Sequence, residues 1–161
     1  MILVIDTREQ RPLKFPRSVA TMPGTLATGD YLVKGLERIV SIERKSLPDL
    51  LMCCGRERER FEKEIMRLKG YPIRAVIVEA TWEDLEAGEW RSQISPAVVL
   101  GSIQAWMADG VQFVLAGNRQ RAARIVYGYC RRAYNKAQFA LRDVQPGKSV
   151  KPWSGPDDLA G

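Results

Sequence analysis

Two apolar runs limit the choice of fold more than anything else in the sequence: Ile2 to Ile5, ending at Asp6, and Ile73 to Val78, ending at Glu79. Both are rich in β-branched residues, and neither shows the polar alternation of a strand with one wet face. They read as strands buried on both sides. Such strands need helices above and below them, and the chain supplies segments with helical spacing. The expected fold class is therefore α/β, a mixed sheet flanked by helices.

The helix signals are local. Ser46-Leu47-Pro48-Asp49 has the form of a helix start, with Ser46 as N-cap, Pro48 in the first turn and Asp49 at the capping-box position. Leu47, Leu50 and Leu51 continue that helix to Gly55-Arg56. From Glu57 to Lys69, Phe61, Ile65 and Leu68 recur at helical spacing, Glu59 and Lys63 stand four apart, and Gly70 is the stop. Arg58 and Arg60 read as solvated partners of Glu62 and Glu64. Ser95-Pro96 opens a third helix with Val99, Leu100, Ile103, Trp106 and Met107 on its apolar side. After a short strand, Gln112 to Leu115, Asn118 caps a long last helix packed through Ala122, Ile125, Val126, Tyr129 and Ala133. Residues 11–24, broken by three prolines, read as a loop with at most a short extended piece, and residues 81–94 as irregular.

With 161 residues the chain suits one domain. Residues 1–142 carry the periodic pattern, and 143–161, without periodicity, are expected to form a mobile tail. The sequence contains no histidine, which removes imidazole as base, nucleophile partner or metal ligand. Cys53, Cys54 and Cys130 form no Cys-x-x-Cys pair, so neither a zinc cluster nor a disulfide framework is indicated and a reducing compartment fits. Met1 to Ile5 is too short for a signal-peptide core, and no run reaches membrane-spanning length. The expectation is a soluble, cytoplasmic protein. Lys and Arg number 25 against 19 Asp and Glu, a net charge of +6 that favours an anionic partner, with nucleic acid the obvious candidate.

The chemistry concentrates between Gly29 and Asp49. Read as a hairpin turning near Gly35 to Glu37, this stretch sets Asp30 opposite Glu43, and strand alternation puts Ser41, Glu43 and Lys45 on one face and Val40, Ile42 and Arg44 on the other. Opposed carboxylates about 5 Å apart repel and call for compensation. A hard divalent cation supplies it, since Mg²⁺ uses one or two carboxylates together with waters and phosphate oxygens. Lys45 on the same face is then placed to orient a nucleophile or stabilise developing charge, which reads as phosphodiester hydrolysis. A Glu and a Lys two apart are also a common solvated strand face.

More of the chain supports the sharper reading. Asp6-Thr7-Arg8-Glu9, Gly29-Asp30-Tyr31 and Glu43-Arg44-Lys45-Ser46 with Asp49 fall in the order and spacing of a known signature, D-x-R-E, then G-D-Y, then E-R-K-x-x-x-D. The chain resembles the nuclease domain of the XPF-type structure-specific endonucleases, within the restriction-endonuclease-like superfamily. The likeness continues through Gly55-Arg56, Ala75 to Glu79 and Ser95-Pro96, up to about Arg142.

The resemblance implies a restriction-endonuclease-like fold and Mg²⁺- or Mn²⁺-dependent cleavage of DNA, with a preference for branched or flapped structures. It implies Asp30 and Glu43 as primary metal ligands. Asp6, Glu9 or both complete the shell, directly or through water, and the sequence leaves that choice open. Lys45 positions or polarises the attacking water. Arg8 and Arg44 hold carboxylates or a phosphate, with purely structural ion pairs an equal alternative. Asp49 carries a site role beside its helix-cap role, and Arg56 is a substrate-contact candidate. The family commonly adds a tandem helix-hairpin-helix module, which nothing after Arg142 is expected to supply. A recombination-junction resolvase, a nonspecific nuclease and a catalytically silent DNA-binding subunit are the alternatives.

The last helix adds a basic face. Arg121, Arg124 and Arg131 line up with Gly128, Asn135, Gln138 and Arg142, and no acid occurs between Asn118 and Arg142. This face is expected to contact phosphates. XPF-type nuclease domains tend to pair, and Trp106, Met107, Tyr127, Tyr129, Tyr134 and Phe139 on the last two helices exceed what one small sheet face readily covers. A symmetric homodimer through these helices is the expected assembly.

Overall fold

A computed structural model describes residues 1–143. The helix that ends them runs to Asp143, and the tail expected for 143–161 otherwise lies outside the described residues. The elements follow in the order β1 (Ile2–Asp6), β2 (Ala20–Gly24), β3 (Tyr31–Val33), β4 (Val40–Lys45), α1 (Leu47–Cys54), α2 (Arg58–Leu68), β5 (Ile73–Val78), α3 (Trp82–Ala87), α4 (Pro96–Ala108), β6 (Gln112–Leu115) and α5 (Arg119–Asp143). The six strands form one sheet ordered β2-β1-β3-β4-β5-β6. β3 runs antiparallel to both β1 and β4, whereas β1 with β2, β4 with β5, and β5 with β6 are parallel pairs. This is the mixed sheet flanked by helices that the apolar runs predict.

Alternation along β5 divides the interior into two cores. Ala75 and Ile77 face α5, where they join Leu3, Tyr31, Val33 and Ile42 with Ala122, Ala123, Val126, Cys130 and Ala133 of the helix. The small side chains of that helical stripe let α5 lie close on the sheet. Val76 and Val78 face the other way, into a core built from Leu50, Phe61, Ile65, Ile103, Trp106 and Phe113. Trp106 is its anchor, stacked on Phe113 at 5.6 Å and meeting Phe61 edge-on at 5.0 Å. Cys53, Cys54 and Cys130 are free and buried, and burial pushes their thiols up, Cys53 and Cys130 to about 12 and Cys54 to about 11.

Three expectations need correction. Residues 20–24 form a full edge strand, and Pro23 is tolerated there because an outer strand does not need every N–H for the ladder. Residues 81–94, read as irregular, contain α3. Thr81 accepts from the Asp84 N–H, the Asp84 carboxylate accepts from the Thr81 N–H, and Gly88 ends the helix at φ 67°. Trp106 is no exposed surplus, being only 2 % exposed. Moreover, α4 and α5 belong to the two opposite cores, so a contact shared by both has to run across the β6 edge. Among the described residues no helix is long and apolar enough to cross a membrane.

Candidate active site

The hairpin register settles how the first two carboxylates meet. Tyr31 pairs with Ile42 in the antiparallel β3–β4 ladder, so one step outward Asp30 stands opposite Glu43. The Asp30 N–H donates to the Ile42 carbonyl at 2.9 Å, and the Arg44 N–H donates to Asp30 Oδ2 at 2.7 Å. Glycine is required just before this pair. Gly29 has φ 73°, and a Cβ there would overlap Ser41 Oγ and press on the Ile42 carbonyl oxygen. Ser41 Oγ in turn donates to the Thr28 carbonyl at 2.9 Å, fixing the turn against β4.

Glu43 is 6 % exposed and receives a hydrogen bond from Lys45 Nζ, which also lies 5.2 Å from the centre of the Phe61 ring. Burial raises the pKa of Asp30 to about 8, and the opposed Glu43 charge pushes in the same direction. Burial likewise raises Glu43 against the pull of Lys45. The Lys45 ammonium is disfavoured by burial, yet Glu43 outweighs that and its pKa is raised. The patch thus holds two carboxylates against one ammonium and lacks positive charge. Oxygen donors in that state fit Mg²⁺ or Mn²⁺, and among the described residues no cluster of three or more acidic or thiol groups is arranged to hold a metal ion. Asp30 and Glu43 are the two carboxylates here that could hold such an ion.

Asp6 leaves the end of β1 and lines the same cleft of about 360 Å³ as Asp30, Glu43 and Lys45. Its carboxylate accepts from the Arg8 N–H (2.7 Å), Arg8 Nε (2.9 Å), Arg8 Nη2 (2.8 Å) and the Leu26 N–H (2.9 Å). The Arg8 pairing holds Asp6 down at about 2. With four donors on its two oxygens, Asp6 has no free acceptor position for direct ligation, one of the two routes, direct or through water, that the sequence left open. Its effect is to present Arg8, whose side chain is 67 % exposed.

Glu9 and Arg44 belong to a second group. Arg44 Nε donates to Glu79 at 2.8 Å and its Nη1 lies 3.8 Å from Glu9, all three side chains being largely buried. Arg119, at the start of α5, also reaches Glu79 at 3.2 Å. Burial works against the Arg44 charge, but Glu79 and Glu9 hold its pKa above the ordinary value. The sequence marked Glu79 only as the end of a strand and did not mark Arg119, because their meeting joins segments 40 residues apart. Asp49 caps α1, accepting from Ser46 Oγ at 2.5 Å while its N–H donates back at 3.3 Å. It also lines a neighbouring cleft of about 580 Å³ with Glu9, Asp30, Arg44 and Lys45.

Glu64 was missed. Its expected partner Arg60 pairs instead with Glu57 at 2.6 Å, while Arg58 meets Glu62 at 2.8 Å as expected. Glu64 turns inward from α2 and accepts from Thr28 Oγ1 (2.8 Å) and the Gly29 N–H (3.0 Å), so a helix grips the turn that carries Asp30. Despite the opposing effect of burial, the Gly29 N–H and Arg67 hold its pKa below the ordinary value. Arg56 is exposed just past the end of α1, its Nη2 2.9 Å from Met52 Sδ. Arg121, Arg124 and Arg131 are exposed on α5, away from the carboxylates, with Arg131 resting 5.9 Å from the Tyr127 ring centre.

A mixed sheet covered by helices on both faces, with an Asp, a Glu and a Lys gathered on its central hairpin, defines a restriction-endonuclease-like domain. The ERCC4 domain family matches residues 5–129, and the chain belongs to it. Among solved structures it is similar to XPF from Aeropyrum pernix, at 20% identity and a TM-score of 0.66, over 83% of this chain and 61% of that one. It is also similar to XPF from Aeropyrum pernix in complex with DNA, at 20% identity and a TM-score of 0.65, over 91% of this chain and 75% of that one. The chain thus spans 61% of the length of the first of these structures. No curated protein matches it.

Proposed function

We propose that this protein is a metal-dependent DNA endonuclease that hydrolyses phosphodiester bonds, with branched or flapped DNA as its substrate class. The observation that carries the reading is the Asp30–Glu43 pair: two opposed, buried carboxylates whose pKa values are both raised and which Lys45 partly neutralises. Membership of the ERCC4 domain family and the fold shared with a DNA-bound XPF support DNA as partner.

In this reading Asp30 and Glu43 hold the cation, and bound there Mg²⁺ or Mn²⁺ supplies Lewis-acid charge for the attacked phosphate. Lys45 stays protonated at neutral pH because its pKa is raised, so it donates and orients rather than acting as a base. Arg8, carried by Asp6, offers a guanidinium at the rim of the cleft for a phosphate. Arg44, Glu9, Glu79 and Arg119 stiffen the strand ends from which the site projects. Arg56, Arg121, Arg124 and Arg131 contact DNA farther out. The assembly we propose is a homodimer meeting across the β6 edge, with Phe139 and Leu141 of α5, each 63% exposed, as apolar contacts.

The deciding experiment is a nicking assay on an end-labelled flap substrate with Mg²⁺ or Mn²⁺. Metal-dependent cleavage lost on chelation supports the reading. Tight DNA binding without cleavage under either metal turns it into the silent-subunit alternative. Equal cutting of flap, four-way junction and plain duplex leaves a nonspecific nuclease.

A further inference from the structure

A further cavity, of about 630 Å³, lies between α1 and the α3–α4 connection and borders the 580 Å³ cleft lined by Asp30, Lys45 and Asp49. Leu47, Leu51 and Ile94 line it with the indole of Trp90, whose Nε1–H donates to the Ile94 carbonyl at 2.9 Å and so fixes the ring. Arg56 and Arg91 stand at its exposed border, and neither has a carboxylate partner among the described residues; Glu89 is the one acid on the lining. Pro48 lines both this cavity and the cleft that holds Asp30, Lys45 and Asp49, so the two adjoin at that residue.

We propose that this cavity is a slot for one unpaired nucleotide of the substrate strand, a proposal that rests on the nuclease reading and names the feature of DNA it selects. An aliphatic and aromatic chamber with a fixed indole suits the faces of a nucleobase, and two free guanidiniums at the mouth suit the phosphates on either side of it. Bases in a duplex are stacked and paired, and only a base in a single strand or extruded from the helix presents its faces to a pocket. The chamber is ample for a single base. Because Pro48 borders both hollows, the captured nucleotide would lie on the strand close to the phosphate under attack. The slot therefore gives the chain its own means of favouring DNA with an unpaired strand, independent of any further module.

The test reads binding, with chelator present so that cleavage does not enter. A labelled flap substrate is titrated by fluorescence anisotropy while a single abasic residue is moved through the positions flanking the junction. One abasic position is expected to weaken binding to the wild-type protein by roughly tenfold, the scale of a lost base–aromatic stack. Trp90→Ala is expected to lose the same factor on intact DNA and to become indifferent to that abasic residue, with Trp90→Phe recovering most of the loss. Failure of every abasic position to change wild-type binding overturns the slot without recourse to any variant. A Trp90→Ala protein that melts normally yet senses the abasic residue as the wild type does overturns it too. A protein showing the expected pattern but cutting nothing under Mg²⁺ or Mn²⁺ keeps the slot and loses the nuclease reading, and one that cuts without abasic dependence does the reverse.

Discussion

Replacing Asp30 by Asn should make the metal-free protein more stable, and the gain should depend on pH in a defined way. The Asp30 carboxyl titrates near 3.8 in the unfolded chain and at about 8 in the folded one. Between these values the native state binds the extra proton. Stability therefore falls as pH rises, by about 1.4 kcal/mol per unit, and over about four units the loss is on the order of 5 kcal/mol. The folded-state benefit of the neutral acid is fully present below about pH 4 and gone above about pH 8. An amide at this position has no such dependence, and its oxygen still accepts the Arg44 N–H that Oδ2 accepts now. Wild type and Asp30→Asn should thus melt alike near pH 4. At pH 8 in chelator the variant should melt higher, by about 10 °C or more for a domain of this size. Mg²⁺ should then raise the wild-type melting temperature at pH 8 and leave the variant unmoved, because bound ligand stabilises only the state that binds it. Circular-dichroism melts at the two pH values, with and without metal, supply the data. A variant that melts below the wild type at pH 8, or follows the same pH slope, would refute the reasoning and make Asp30 a structural carboxylate.

Four other outcomes are expected. Lys45→Ala should lose cleavage while keeping most of its DNA affinity, and a parallel loss of affinity in anisotropy titrations would show that Lys45 mainly holds DNA. Arg124→Ala combined with Arg131→Ala should flatten the salt dependence of duplex binding by about 0.9 for each lost contact, and an unchanged slope would mean that α5 faces something other than phosphate. Ca²⁺ should support binding with little turnover, and activity that survives exhaustive chelation would exclude the Asp30–Glu43 metal role. Sedimentation at micromolar protein should give a dimer that Phe139→Asp with Leu141→Asp dissociates, and a clean monomer with full flap cleavage counts against pairing.

Sequence was informative wherever one local rule dominated. The runs ending at Asp6 and Glu79 could only be doubly covered strands, and turn residues plus alternation gave the Asp30–Glu43 pairing that the ladder reproduces at Tyr31 and Ile42. The Ser46 cap was legible for the same reason. β2 was not, because its prolines mask a strand whose pairing partner β1 lies far upstream and whose edge position excuses them. α3 hid behind its acids, although Thr81-x-x-Asp84 was a capping signal in plain sight. Glu64 read as a solvated helical charge because local spacing cannot reveal that α2 turns this one position toward Thr28 and Gly29. Arg119 escaped because its partner Glu79 is a neighbour only in three dimensions. Trp106 was misjudged by counting aromatics on a helix without knowing that Phe61 and Phe113 would enclose it.

The Glu43-Arg44-Lys45 triplet carries a consequence for how the chain finds its fold. Glu43 and Lys45 project into the cleft, while Arg44 is enclosed by Glu9 and Glu79 on the other side. A hydrophobic strand can slip by one residue during pairing and still bury apolar atoms on both faces. For β4 a slip that drives Glu43 into the space shared by Glu9 and Glu79 would set like charges together there and leave Arg44 facing Asp30 from the cleft. The buried acids would then lose the guanidinium that neutralises them, a defect that costs about 3–5 kcal/mol when one partner of a buried pair is removed. That is a large fraction of the stability of a small domain. The alternating charges therefore act as a proofreading device, penalising an out-of-register β4 once the helices close over it, so the strand that presents the reactive groups also carries its own register lock.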